Sequence, residues 1–233
     1  MLKAANLIKE FKNVIAVNNI SFQIEKGKIF GVLGPNGSGK TTIIRIILDI
    51  LKPTSGSVTF EDNIISEKVK DKIGYLPEER GLYKKSKVKD IVYYFAGLKN
   101  LPKKEIEQNF NYWSKKLQLD EHKNRRLEEL SKGNQQKVQM LAALIHNPDI
   151  LIMDEPFAGF DPVNQKLVRQ IIYEYVSPGK IILLSTHLLN LADDLCSDVL
   201  LLNKGKEVLH GSLSDIKKNF NEKIYKVNIE AGR

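Results

Sequence analysis

Apolar residues along this chain follow two different periods. Compact runs at 29–33 (Ile-Phe-Gly-Val-Leu), 150–153 (Ile-Leu-Ile-Met), 181–184 (Ile-Ile-Leu-Leu) and 199–202 (Val-Leu-Leu-Leu) predict buried strands. Helical spacing separates the later runs, at about 163–176 and 188–196. Thr41 to Leu51 carries Ile43, Ile44, Ile46, Ile47, Leu48, Ile50 and Leu51, which predicts a helix buried on most sides. The cluster Lys52-Pro53-Thr54-Ser55-Gly56 reads as a stop and turn, and Ser57-Val58-Thr59-Phe60 as an alternating strand. Strands that alternate with helices pair in parallel and are covered on both faces. Residues 88–99, 102–118 and 134–147 keep the helical period with no strand between them. They predict an α-helical insertion over about 85–148. The first 25 residues alternate, as an antiparallel β layer does, and alternation returns at 224–230 (Ile-Tyr-Lys-Val-Asn-Ile-Glu). The pattern therefore predicts an α/β fold: a mixed, mainly parallel core sheet, an N-terminal antiparallel layer and an inserted helical subdomain, as one domain over 1–220 with a tail at 221–233.

Composition narrows the class. The 233 residues are 42% hydrophobic and 27% charged, which is enough apolar mass for a core and too much for a disordered chain. No apolar run approaches the ~18 residues of a membrane span, and Met1-Leu2-Lys3-Ala4-Ala5-Asn6 lacks the apolar region of a signal peptide. The single cysteine, Cys196, has no partner in the chain, fits a reducing compartment and reads as core packing. The net charge is +8, of which residues 67–104 hold +6, from eleven basic and five acidic side chains. Such a stripe suits nucleic acid, an anionic membrane surface or plain solubility.

The first chemistry-bearing motif is Gly34-Pro35-Asn36-Gly37-Ser38-Gly39-Lys40-Thr41, followed by Thr42. It fits G-x-x-x-x-G-K-[ST], between an apolar strand and an apolar helix as that motif requires. Glycines let successive N–H groups curl around an anion, and the helix start adds its positive end. Lys40 would reach the β- and γ-phosphates, and the Thr41 hydroxyl would bind Mg²⁺. A second element, Ile150-Leu151-Ile152-Met153-Asp154-Glu155, brings two acids out of a buried strand at its C-terminal end. Asp154 would hold the Mg²⁺ shell and Glu155 would orient the attacking water.

Further segments carry a family resemblance. Leu130-Ser131-Lys132-Gly133-Asn134-Gln135-Gln136 resembles the signature loop of ATP-binding-cassette (ABC) ATPases, Ala158-Gly159-Phe160-Asp161 their D-loop, and Ser185-Thr186-His187 their switch histidine. Order and spacing match over nearly the whole chain, which is identified as an ABC nucleotide-binding domain with ATP and Mg²⁺ as cofactors. The resemblance implies that Phe11, 29 residues before Lys40, stacks on adenine, although Phe11 taken alone reads as core. Ser131 and Gly133 would touch the γ-phosphate of ATP bound to a second copy, Ser131 also fitting a helix N-cap. His187 would bond the γ-phosphate. Asp161 would join the two sites or cap the helix begun by Pro162.

Two positions depart from the family pattern. Glu78 stands where a glutamine is usual, either as a further Mg²⁺ ligand or as part of a solvated acidic turn. Lys132 stands in place of a glycine, facing phosphate or solvent. These, with Gly81-Leu82-Tyr83-Lys84-Lys85 and the segment 93–99, resemble the branch that includes sodium and drug exporters. That branch implies an ATP-dependent dimer, a separate multi-span permease as partner, and a cytoplasmic location on the inner face of the membrane. It also implies a C-terminal segment that is the start of a further domain. The competing reading is a soluble ABC ATPase without a transport role, such as an iron–sulfur assembly partner. Nucleic acid is not expected as a partner. The +6 segment then faces lipid headgroups or is a solvated lysine-rich face.

Overall fold

The computed structural model describes residues 1–79, 81–177 and 179–221. In chain order it contains β1 (Leu2–Phe11), β2 (Val14–Ile24), β3 (Ile29–Leu33), α1 (Lys40–Ile47), β4 (Ser55–Phe60), β5 (Asn63–Ile64), α2 (Glu67–Lys70) and β6 (Ile73–Leu76). There follow α3 (Val88–Leu98), α4 (Lys103–Lys116), α5 (Lys132–Leu144), β7 (Ile150–Asp154), α6 (Pro162–Val176), β8 (Ile181–Thr186), α7 (Leu189–Leu195), β9 (Asp198–Asn203), β10 (Lys206–Ser212) and α8 (Leu213–Asn221).

Two sheets result. The first is antiparallel, in the order β2-β1-β4-β5. The second runs β10-β9-β3-β8-β7-β6. Its members β9, β3, β8, β7 and β6 pair in parallel, while β10 joins antiparallel at the edge. The expectation of a mixed, mainly parallel core sheet beside an N-terminal antiparallel layer matches this arrangement, β10 being the antiparallel member. The alternating segment at 224–230 lies outside the described residues.

Period-2 alternation within the buried strands divides the core in two. On β7, Ile150 and Ile152 join α1 and the antiparallel sheet in one cluster, with Phe30, Val32, Leu183 and Phe60. Leu151 and Met153 point the other way, into a cluster shared with Val88, Phe110, Leu141 and Val168 of the surrounding helices. The central sheet is thus buried on both faces, which is why its strands read as continuous apolar runs.

One expected boundary moves. The predicted helix from Thr41 to Leu51 stops at Ile47, where Leu48 caps it and Asp49 turns into the left-handed region at φ 55°. Leu48 and Leu51 still pack against the core, so the apolar pattern outlasts the helix.

Candidate functional site

The site residues collect at the C-terminal ends of four adjacent strands. Gly34 follows β3, Glu78 follows β6, Asp154 ends β7 and His187 follows β8. Ligands sit at this edge in parallel sheets. Two glycines give the loop after β3 its shape. Gly34 has φ 146°, and a Cβ there would lie 2.4 Å from the Leu202 carbonyl oxygen. Gly39 has φ 109° and its Cβ would meet the Ala16 carbonyl at 2.5 Å. No L side chain fits either place. Gly39 caps α1 without a side-chain bond, so the first N–H groups of that helix are left for an anion.

The pocket beneath this loop has a volume of about 310 Å³. Residues 36–42 line it together with Ala16, Glu78, Asp154 and Glu155. Lys40 is buried; its Nζ donates to the carbonyls of Gly34 (2.8 Å) and Pro35 (3.2 Å) and lies 3.9 Å from Glu155 Oε1. The Thr41 hydroxyl donates to Asp154 Oδ2 at 3.2 Å. Asp154 is 2% exposed, and the Ser185 hydroxyl donates to its other oxygen. His187 Nδ1 lies 2.9 Å from Glu155 Oε1. A half-buried hydroxyl and a buried carboxylate in contact, with Glu78 and Glu155 facing the same space and Lys40 as the lysine of the lining, form a hard-oxygen donor set short of positive charge. That set fits Mg²⁺.

Other sequence candidates lie apart from this lining. Phe11, at the end of β1, is 44% exposed, with Lys9 Nζ 5.0 Å over its ring, so the core reading of Phe11 is excluded. Ser131 caps α5, accepting from the Asn134 N–H at 3.2 Å, and Lys132 is exposed. Gly133 has ordinary clearance: a Cβ would stand 3.6 Å from Asn164 Nδ2 and 3.7 Å from Phe160. Asp161 caps α6, with Asn164 donating to both carboxylate oxygens at 2.8 Å. Those bonds, led by the Asn164 N–H, hold its carboxyl below the usual range.

Two positioning side chains escaped the sequence reading. Gln139 of α5 is buried, and its amide donates to the carbonyls of Pro77 (3.1 Å) and Glu79 (3.0 Å), clamping both neighbours of Glu78. The sole signal for it is one polar residue in the apolar stretch Val138-Gln139-Met140-Leu141. The other is Ser185, which the sequence reading names only as part of the segment leading to His187 and gives no role.

A phosphate loop, a buried hydroxyl–carboxylate pair and a carboxylate–imidazole pair on one sheet edge define a nucleoside-triphosphate hydrolase site. The family profile described as ABC transporter matches residues 17–158. An uncharacterized ABC transporter ATP-binding protein of Methanocaldococcus jannaschii is 47% identical over 215 residues, 92% of this chain and 79% of that protein. The Nod factor export ATP-binding protein I of Cupriavidus pinatubonensis is 30% identical over 93% of this chain and 67% of its own length. A solved ATP-binding subunit of an ABC transporter superposes with a TM-score of 0.87 at 26% identity, covering 95% of this chain and 93% of that one. A cassette solved as a dimer, in a post-hydrolysis state with ADP and Pi, gives 0.83 at 25% identity over 91% and 99%. The chain belongs to the ABC transporter ATP-binding protein family. It is an ATP-binding, ATP-hydrolysing transporter subunit, and the alternative of an iron–sulfur assembly partner finds no counterpart among these relatives. Among the described residues no helix is long and apolar enough to cross a membrane.

Proposed function

We propose that two copies of this chain close around two ATP molecules, each phosphate loop facing the signature loop of the other copy, and that closure and reopening drive a separate membrane permease. The observation that carries this reading is the incompleteness of the site within one chain. The phosphate pocket gathers residues 36–42, Glu78, Asp154 and Glu155, whereas Ser131 and Gly133 are not in its lining. Nothing in the fold asks for glycine at 133, since a Cβ would meet only ordinary contacts. A closed two-fold arrangement supplies each pocket with the missing loop.

Within the site, Lys40 and the N–H groups of the loop hold the phosphates, and Glu155 orients and polarises the attacking water. His187 steadies Glu155 and faces the γ-phosphate. Thr41 and Asp154 would hold Mg²⁺, with Glu78 within reach of the same space, and the ion when bound would supply neutralisation of phosphate charge. Phe11 offers a π-face to adenine.

The permease is seated in an apolar groove of about 390 Å³ between the core and the helical insertion. Ile50, Tyr75, Pro77, Leu82, Phe95 and Ala143 are among the residues that line it. Pro77, a lining residue, directly precedes Glu78, so movement at Glu78 passes to the groove along the chain. Export is supported by the segments 78–85 and 93–99 and by the export protein among the relatives. Position at the inner membrane face is supported by exposed Lys84, Lys85 and Lys87 beside exposed Tyr83 and Tyr94, a face suited to anionic headgroups. By contrast Lys70, Lys72 and Lys99 are engaged in ion pairs.

Glu155→Gln tests the reading. The variant should bind ATP, release phosphate at least ~100-fold more slowly than wild type, and elute as a dimer with ATP. Wild-type phosphate release, or a monomer at saturating ATP, would overturn it.

A further inference from the structure

Ser185 is the fifth residue of β8 and is wholly buried. β8 pairs in parallel with β7, in a register that sets Ser185 against Asp154. Its hydroxyl donates to Asp154 Oδ1. Thr41 takes the other oxygen of the same carboxylate at 3.2 Å, so Asp154 is held at both ends. The Glu155 backbone N–H reaches Ser185 twice, at the carbonyl oxygen (3.1 Å) and at the hydroxyl (3.2 Å). Glu155 sits at φ 48°, a left-handed conformation that a side-chain-bearing residue keeps only where its surroundings fix it.

We infer that Ser185 is a positioning residue for hydrolysis. One buried hydroxyl fixes the rotamer of Asp154 and, through the Glu155 N–H, the backbone turn that aims the Glu155 carboxylate into the pocket. The hydroxyl has one proton and two lone pairs, so it donates to Asp154 and accepts from Glu155 at once. A β8 residue without a side-chain oxygen would keep the carbonyl bond to Glu155 and lose the link between the two acids. The inference rests on the proposed roles of Asp154 and Glu155.

The experiment compares wild type, Ser185→Ala and Ser185→Thr. It reads amide hydrogen exchange of the nucleotide-free chain over residues 150–156 and steady-state phosphate release. Ser185→Ala should speed exchange at the Glu155 amide about tenfold and lower kcat about 10- to 100-fold, while Ser185→Thr, which keeps the hydroxyl, restores both. Ser114→Ala is the control, because Ser114 is also wholly buried, lies on α4 and has a hydroxyl with no hydrogen-bond partner among the described residues. It should leave exchange over 150–156 and kcat unchanged. If Ser185→Ala fails to fold, Ser185→Cys carries the test on the same readouts, with a smaller change in the same direction. Wild-type exchange at Glu155 together with wild-type kcat in the folded Ser185 variants would overturn the inference. Absence of phosphate release from the wild-type chain would instead overturn the hydrolytic reading.

Discussion

His187 Nδ1 stands 2.9 Å from Glu155 Oε1, a half-exposed imidazole bonded to a buried carboxylate. An ionised carboxylate only accepts, so Nδ1 carries the proton and the Nε2 of a neutral ring is an acceptor. A phosphate oxygen also accepts. For His187 to bond the γ-phosphate, the ring must either gain a second proton or let go of Glu155. Both routes make the imidazole responsive to nucleotide. His187→Ala should therefore reduce kcat about 100-fold with ATP still bound, measured by phosphate release and by binding of a fluorescent ATP analogue. Unchanged turnover would remove His187 from the mechanism.

Gln139 bonds the carbonyls on both sides of Glu78 from a helix of the insertion. Gln139→Leu preserves volume and leaves two carbonyls without their donor. Stability should fall by about 1–3 kcal/mol in urea unfolding. Exchange at residues 77–79 should rise selectively. A variant as stable as wild type, with a protected 77–79 segment, would show that the loop is held by other contacts.

His146 lines the apolar groove of about 390 Å³ beside the helical insertion, and its Nε2–H donates to the Ile73 carbonyl at 3.1 Å. Burial is the main cause that lowers its pKa, to about 4. The unfolded ring takes its proton near pH 6.5, so between pH 6.5 and 4 the unfolded state binds more protons. Stability contributed by neutral His146 is present above that window and is lost as the pH falls through it, by up to about 1.4 kcal/mol per unit. Urea midpoints at pH 7 and pH 5 should differ less in His146→Gln than in wild type. An identical pH dependence in the two would exclude the histidine as a source.

Cys196 packs on Gly31 in the main core, and burial pushes its thiol up to about 12. The thiolate is the reactive form. Labelling by a disulfide reagent at pH 8 should be at least about 100-fold slower in the native chain than in urea. Rapid labelling without denaturant would contradict the packing.

Much of the architecture can be read from period alone. The strands β3, β7, β8 and β9 announce themselves because both their faces are buried, and the phosphate loop because its glycines and lysine are spaced by phosphate geometry. β10 is not legible. It lies at the sheet edge with mostly exposed or half-exposed residues, so Lys206-Glu207-Val208 carries no buried stripe. The end of α1 is misread for the opposite reason, since Leu48 and Leu51 pack without being helical. At the site, residue types that define chemistry (Lys40, Thr41, Asp154, Glu155) can be singled out in a linear chain. Ser185 and Gln139 cannot, because their value comes from partners 30 or more positions away.

The ordinary clearance around Gly133 has a genetic corollary. If that glycine serves the pocket of the other copy, loss of Gly133 in one chain and loss of Lys40 in another damage the same composite pocket when the two chains pair. The second pocket of that pair keeps both of its elements intact. A mixed population of Gly133→Trp and Lys40→Ala chains should then regain part of the ATP turnover that each population alone lacks, whereas a site built within one chain would yield no such complementation.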